Sequence, residues 1–186
     1  LISLINFSGL SLSLSNSDIA AIKFTFVQAA YSATLSTILA IPVAKALLRQ
    51  NFWGKGFVVL ILGAPFILPV IVAVLGLILV FGNNGIVNNL LNLIGLGSVK
   101  IYGFWGVILA HVFFNLPLAI RILLQALNDV PGEHYRLVSS LKLSFTQNFL
   151  ALEWPVLKKV SPGIWAVIFE ICLSSYAVAL TLGGGP

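Results

Sequence analysis

"GEHYRLVSSLKLSFTQNFLALEWP", Gly132 to Pro155, is a polar, half-helical stretch between two apolar runs, Ile101–Leu124 and Val160–Leu182. Tyr135, Val138, Leu141, Phe145 and Phe149 recur at helical spacing, with Arg136, Ser139, Ser140 and Lys142 between them, which is the pattern of an amphipathic helix. Pro131 and Gly132 punctuate the exit from the preceding run, and Glu133 then places an acid in a first turn, where the helix dipole favours it. The helix is expected to end by Trp154, because the residue before Pro155 is pushed out of the helical region. A connection this long inside a compact domain is expected to carry a function. Its flanks decide what kind of molecule it serves.

Those flanks are typical of the chain. Hydrophobic residues make up 59 % of the sequence and charged residues 8 %, against roughly 25 % charged in soluble domains. With a mean hydropathy of +1.07, the chain reads as a membrane protein, and its length excludes a large catalytic head. Four windows, Phe24–Leu48, Phe57–Phe81, Ile101–Leu124 and Val160–Leu182, are apolar and long enough to cross a hydrocarbon core of about 30 Å. In lipid the backbone must satisfy its own hydrogen bonds, so each window is expected to be a helix. The predicted fold class is therefore all-α, a polytopic transmembrane bundle with four spans. In "PFILP", Pro65 and Pro69 stand one turn apart and predict a kink or break in the second span, and Pro117 shapes the third. The connection "GNNGIVNNLLNLIGLGS" holds an apolar core, Ile86 to Ile94, too short to span. It reads either as a short interfacial helix or re-entrant cap or as an ordinary packed loop.

Basic residues set the sidedness. Lys45, Arg49 and Lys55 flank the first connection, and Arg121, Arg136, Lys142, Lys158 and Lys159 the third; the other side has only Lys23 and Lys100. The positive-inside rule makes the first and third connections cytoplasmic, including the loop over residues 125–160. Residues 1–23 become an extracytoplasmic lead-in or the tail of a preceding span. Membrane orientation also accounts for the formal charge of +5 without nucleic acid. The opening stretch has neither a basic n-region nor an Ala-x-Ala site, so it is not read as a signal peptide. Methionine is absent, the chain opens on Leu1, and it closes on "LGGGP" after an apolar segment, so it reads as an excerpt of a longer protein.

Catalysis has little to stand on. The single Cys172 allows no disulfide framework or thiolate metal site, and two histidines without paired carboxylates give no metal triad and no nucleophile with its base. A membrane anchor or channel remains as a non-transport alternative. An amphipathic helix beside a bilayer either lies on the head groups or docks into a groove of a soluble partner.

The insert resembles the cytoplasmic loop of binding-protein-dependent ABC importer permeases, whose pattern is Glu-Ala-Ala, three residues, Gly, and at a fixed distance a hydrophobic-Pro pair. Anchoring on Pro155 sets the family glycine at Lys142 and the family glutamate at Arg136, with Leu137 and Val138 in place of the small pair and the acid one turn earlier at Glu133. The form "PGE-aromatic-RL" followed by "EWP", together with "AHVFFNLPLAIRILLQAL" (Ala110–Leu127), "LPVIVAVLGL" (Leu68–Leu77) and "LTLGGGP", is similar to the thiamine importer branch. The resemblance covers Ala21 to Pro186. It implies a type I importer transmembrane domain over residues 24–186, incomplete at its C-terminus, with a coupling loop at about residues 129–159.

It also implies partners. A dimeric ATP-binding cassette subunit would take the loop in a cleft, a periplasmic or surface solute-binding protein would deliver cargo, and a second transmembrane half, fused in the full-length chain, would complete the path. The location implied is the bacterial inner (plasma) membrane. Glu133, Tyr135, Arg136, Val138, Leu141, Lys142 and Phe145 become the coupling residues, the apolar ones as anchors and Glu133 and Arg136 setting register. ATP would be used by the partner, for the chain has no Gly-x4-Gly-Lys-Ser/Thr motif, and no cofactor is expected on this chain. Lys142 at the glycine position leaves two alternatives, one continuous helix or a costlier turn between two short ones.

Polar groups inside spans are candidates for the translocation path because they are expensive in lipid. At about 1.5 Å rise per residue, His111 and Glu170 fall at similar depth and are expected to meet near the midplane. Glu170 would draw a cation such as thiamine, with Tyr176, Trp165 or Phe113 offering cation-π faces; the alternative is a buried acid paired with His111 or Arg121. Asn115 and Pro117 are read as shaping the helix, and Asn115 is kept as a path residue. Ferric iron or sulfate remains the alternative cargo.

Overall fold

The computed structural model describes residues 16–63, 68–98, 100–141 and 144–183. The described residues are helical and connecting segments, without strands. The first helix, α1, runs Asn16–Arg49. It starts before the apolar window, because Asp18 puts an acid in its first turn, so the expected lead-in is partly helix; residues 1–15 lie outside the described residues. A short α2 (Lys55–Ile61) follows, then α3 (Val70–Phe81), α4 (Ile86–Leu93) and α5 (Phe104–Asn128). The loop holds α6 (Gly132–Ser140), α7 (Phe145–Asn148) and a π-helical turn, Phe149–Glu153. Two further helices, α8 (Trp154–Ser174) and α9 (Tyr176–Leu182), close the described chain.

The core is a three-helix seam. Ala29, Ala33, Ala40, Ala44 and Leu47 of α1 meet Ala119, Ile120, Leu123 and Leu127 of α5 and Leu157, Ile164, Ile168 and Cys172 of α8. The alanines fall at i, i+4, i+11 and i+15, with the buried Ser36 between them, so one stripe of α1 carries almost no side-chain bulk and the backbones approach closely. Small residues serve this purpose in membrane bundles, where burial from lipid gives no hydrophobic gain. A second cluster joins Val74 and Leu77 of α3 to Val107 and Ala110 of α5 and to Val178 and Leu182 of α9.

Among the described residues, three stretches are long and apolar enough to cross a membrane: Asp18–Arg49, Val70–Leu93 and Phe104–Asn128. Two windows are interrupted, one where a break is expected and one where it is not. The break expected within the window Phe57–Phe81 is present: α2 ends at Ile61 and α3 begins only after Pro69, which sits at its N-cap in extended conformation (φ −56°, ψ 133°). Pro65 lies outside the described residues. The window Val160–Leu182 breaks at Ser175 (φ −83°, ψ 72°) into α8 and α9. Pro117 lies inside α5 and is buried; lacking an N–H, it leaves the Phe113 carbonyl without its usual donor.

The connection after α3 contains a real helix, α4. Asn88 is buried and its Nδ2 donates to the Gly82 carbonyl at 2.8 Å, tying α4 to the end of α3, while Ile86, Leu90 and Leu93 stay exposed. That arrangement favours the interfacial-helix reading. The same end of the bundle holds the start of α5 and the end of α9, joined by the Gly103 N–H donating to the Leu182 carbonyl at 2.7 Å. Gly103 has φ +92°, a conformation that only glycine adopts cheaply.

Candidate functional site

At the opposite end, the loop is pinned to α1. Glu153, fully buried, closes the π-helical turn, and its Oε1 accepts from Arg49 Nε at 2.8 Å and also from Arg49 Nη2. Lys45 Nζ lies 3.7 Å from Oε2 and 3.9 Å from the centroid of the Phe149 ring. Two cations on one face of α1 thus clasp an acid and an aromatic of the loop. A buried carboxylate is tolerable only with such partners. The first and third connections therefore share one end of the molecule, as the distribution of basic residues predicts.

The π-helical turn makes this clasp possible. The sequence reading ended the loop helix at Trp154; instead Pro155 sits in the first turn of α8. A proline there needs no donor, and its fixed φ suits the helix. The extra residue of the π turn absorbs the discontinuity. Upstream, Ser144 and Gln147 cap α7 reciprocally: the Ser144 N–H donates to Gln147 Oε1 at 2.9 Å and the Gln147 N–H to Ser144 Oγ at 3.4 Å. This is a capping box, legible in "SFTQ". Since α6 ends at Ser140 and α7 starts at Phe145, the loop is two short helices rather than one; Lys142 itself lies outside the described residues.

The expected coupling residues separate into two faces of α6. Val138 is 8 % exposed and Tyr135 is half-buried. Burial first, and then the nearby Glu153 carboxylate, push the Tyr135 phenol above its usual range, with Arg49 opposing; these two side chains hold α6 on its own bundle. Glu133, Arg136, Leu137, Ser140 and Leu141 form the exposed face, at the i, i+3, i+4, i+7, i+8 spacing of one helical stripe. Leu137 is 61 % and Leu141 68 % exposed. Phe145 begins α7, and its side chain lies outside the described residues.

A second polar group sits inside the bundle. Gln28 Nε2 donates to the Cys172 carbonyl at 3.4 Å, which turns its Oε1 towards His111 Nδ1, 2.8 Å away. His111 Nδ1–H is therefore the donor, and Nε2 is left as an acceptor. Asn115 Nδ2 donates to the His111 carbonyl at 2.8 Å and approaches Cys172 Sγ at 3.5 Å. The network joins α1, α5 and α8, and Gln28, a polar amide inside an apolar window, was its overlooked member. Asn115 thus bonds within its own helix while also facing Cys172 of α8.

Glu170 does not join it. Ile164, Ile168 and Cys172 are the buried positions of α8, which turns Glu170 outward, where it is exposed. Neither the meeting with His111 nor a buried pairing with His111 or Arg121 is found, and His111 takes Gln28 instead. Trp165 stacks on Phe169 (centroids 5.0 Å apart) and donates to Thr34 Oγ1 at 3.0 Å. Phe113 packs edge-on against Phe114. Tyr176 opens α9, and its side chain lies outside the described residues.

No family model matches the chain. It is 39 % identical over 166 residues to the thiamine transport system permease protein ThiP of Brucella abortus (strain 2308), covering 88 % of this chain and 31 % of that protein. To the protein of the same name in Escherichia coli (strain K12) it is 44 % identical over 166 residues, covering 89 % of this chain and 31 % of the relative. A more distant relative, the probable sulfate transport system permease protein cysT of Chlorella vulgaris, is 31 % identical over 164 residues, 87 % of this chain and 58 % of the relative. The chain is thus homologous to a segment of the thiamine transport system permeases, and it spans about a third of the length of the curated relatives it matches.

Proposed function

We propose that this chain is a membrane-spanning part of an importer permease that carries thiamine or its phosphates inward, driven by a separate ATP-binding subunit. The observation that carries the proposal is the 166-residue similarity to permeases named for thiamine transport. The geometry of the loop supports the mechanism. Its α6 helix is held on the bundle by Tyr135 and Val138 and presents Glu133, Arg136, Leu137 and Leu141 outward, which is how an amphipathic helix enters a partner's groove.

On this reading, closure of the ATP-binding dimer pulls on α6, and the Arg49–Glu153 clasp passes the movement to α1 and so to the three-helix seam. ATP binds to the partner and no cofactor to this chain. A solute-binding protein supplies cargo at the end that holds α4, a second transmembrane half completes the path, and the loop over residues 125–160 faces the cytoplasm from the inner membrane. The coupling set includes Lys142 and Phe145, and the path set His111, Asn115, Glu170 and Tyr176. The sulfate relative gives a second cargo reading, which an exposed carboxylate at Glu170 opposes, because it would repel a dianion.

Co-purification tests the coupling. The full-length parent protein should retain its ATP-binding subunit, and Leu137→Ala with Leu141→Ala should release it, since truncating a buried anchor costs roughly 2 kcal/mol. Undiminished retention in the double variant would remove α6 as the docking element.

A further inference from the structure

We propose that the cavity where α3, α5, α8 and α9 meet is a subsite for a flat heteroaromatic ring bearing an N–H donor, with the positive charge of the same molecule held just outside at Glu170. The inference rests on the thiamine reading above and deepens it.

Both broken spans open on this cavity. Leu68 and Val70, from the break before α3, and Ser175, from the break between α8 and α9, line it together with His111, Asn115 and Phe114 of α5. Irregular backbone at membrane depth is tolerated where it is packed in protein or lines a cavity, and in transporters such breaks mark binding sites. The cavity holds one specific unmet need. His111 is 2 % exposed, its Nδ1–H is committed to Gln28, and its buried Nε2 has no hydrogen-bond partner among the described residues. A buried acceptor without a donor is costly. A ligand N–H would satisfy it.

Size and charge restrict the ligand. The volume is about 250 Å³, below the roughly 300–1,000 Å³ of pockets that enclose a drug-sized molecule, which suits a single ring. A neighbouring hollow shares Val70, Ile171 and Ser175 with the cavity and adds Glu170 and Ser174. Its carboxylate is exposed and forms no ion pair among the described residues. An unpaired acid within a span is a site for a cation. Thiamine has this shape, an aminopyrimidine ring whose amine donates hydrogen bonds, joined through one carbon to a thiazolium cation.

The test is protection of a thiol introduced by Ser175→Cys in the full-length importer assembled with its ATP-binding partner, other reactive cysteines being replaced. Saturating thiamine should slow maleimide labelling about tenfold or more, and adding Glu170→Gln or His111→Phe should raise the half-protecting concentration about tenfold. If the thiol at 175 prevents assembly, Ser174→Cys reports from the neighbouring hollow. Labelling unaffected by thiamine in an importer that still takes up thiamine would overturn the subsite and leave the proposed function standing. A wild-type importer that takes up no thiamine would overturn that reading, and this inference with it.

Discussion

Glu153 is fully buried while its partner Arg49 keeps about a quarter of its side chain exposed (27 %), and this inequality makes the two sides of the clasp energetically different. Arg49→Met strands a buried carboxylate with only Lys45 at 3.7 Å and should cost about 3 kcal/mol. Glu153→Leu leaves a cation that water can reach and should cost distinctly less; thermal denaturation of the purified full-length protein in detergent would compare them. Tyr135 lies beside this pair, and its phenol titrates above the ordinary value near 10. A folded-state pKa raised above the unfolded one means that the neutral phenol's contribution is complete below about pH 10 and is lost as pH rises through the folded value. Tyrosinate absorbance should therefore show one phenol ionising late, and Tyr135→Phe should remove that component from the curve. The basic side of the clasp was legible as Lys45 and Arg49 near a span end. Glu153 was hidden within "EWP", because a lone acid in a loop reads as solvated until the π-helical turn directs it inward.

At the scale of elements, composition identified the apolar windows but not their continuity. Both interrupted windows break where a local conformational choice overrides hydropathy: at Pro69, whose φ/ψ starts a helix rather than continuing one and whose ring gives the warning, and at Ser175, whose side-chain type gives none. The alanine stripe of α1 was equally silent, since alanine suits any helix and its position becomes meaningful only against α5 and α8. It does make a prediction. Ala33→Leu or Ala40→Leu forces bulk into a seam with no space and should destabilise by about 1–3 kcal/mol, whereas Ile38→Leu, on an exposed position of the same helix, should change little in the same denaturation assay. In the loop, Ser144→Ala removes one half of the capping box of α7 and should cost about 1 kcal/mol, which hydrogen exchange over residues 144–148 would detect as faster amide exchange.

For the molecule as a whole, the outside is as apolar as the inside. Phe26, Ile38, Ile71, Leu75 and Leu79 are all exposed, a surface suited to lipid or to a further transmembrane half. Glu170 interrupts that surface, and a charge facing hydrocarbon costs roughly 2.5–3.5 kcal/mol; its face is therefore expected to meet protein or a cation in the complete permease. Helical class and the family resemblance were readable from the chain, because hydropathy and loop pattern are local. The path was not, because it depends on which face of each helix turns inward. On the proposed function this loop couples ATP to thiamine movement, and the most direct test is uptake of labelled thiamine by cells lacking their own permease, supplied with the full-length parent protein and its cognate partners. The account predicts uptake that Leu137→Ala with Leu141→Ala lowers at least about tenfold while the permease stays in the membrane. Uptake unchanged by that variant, or none from a wild-type complex that assembles and hydrolyses ATP, would contradict it.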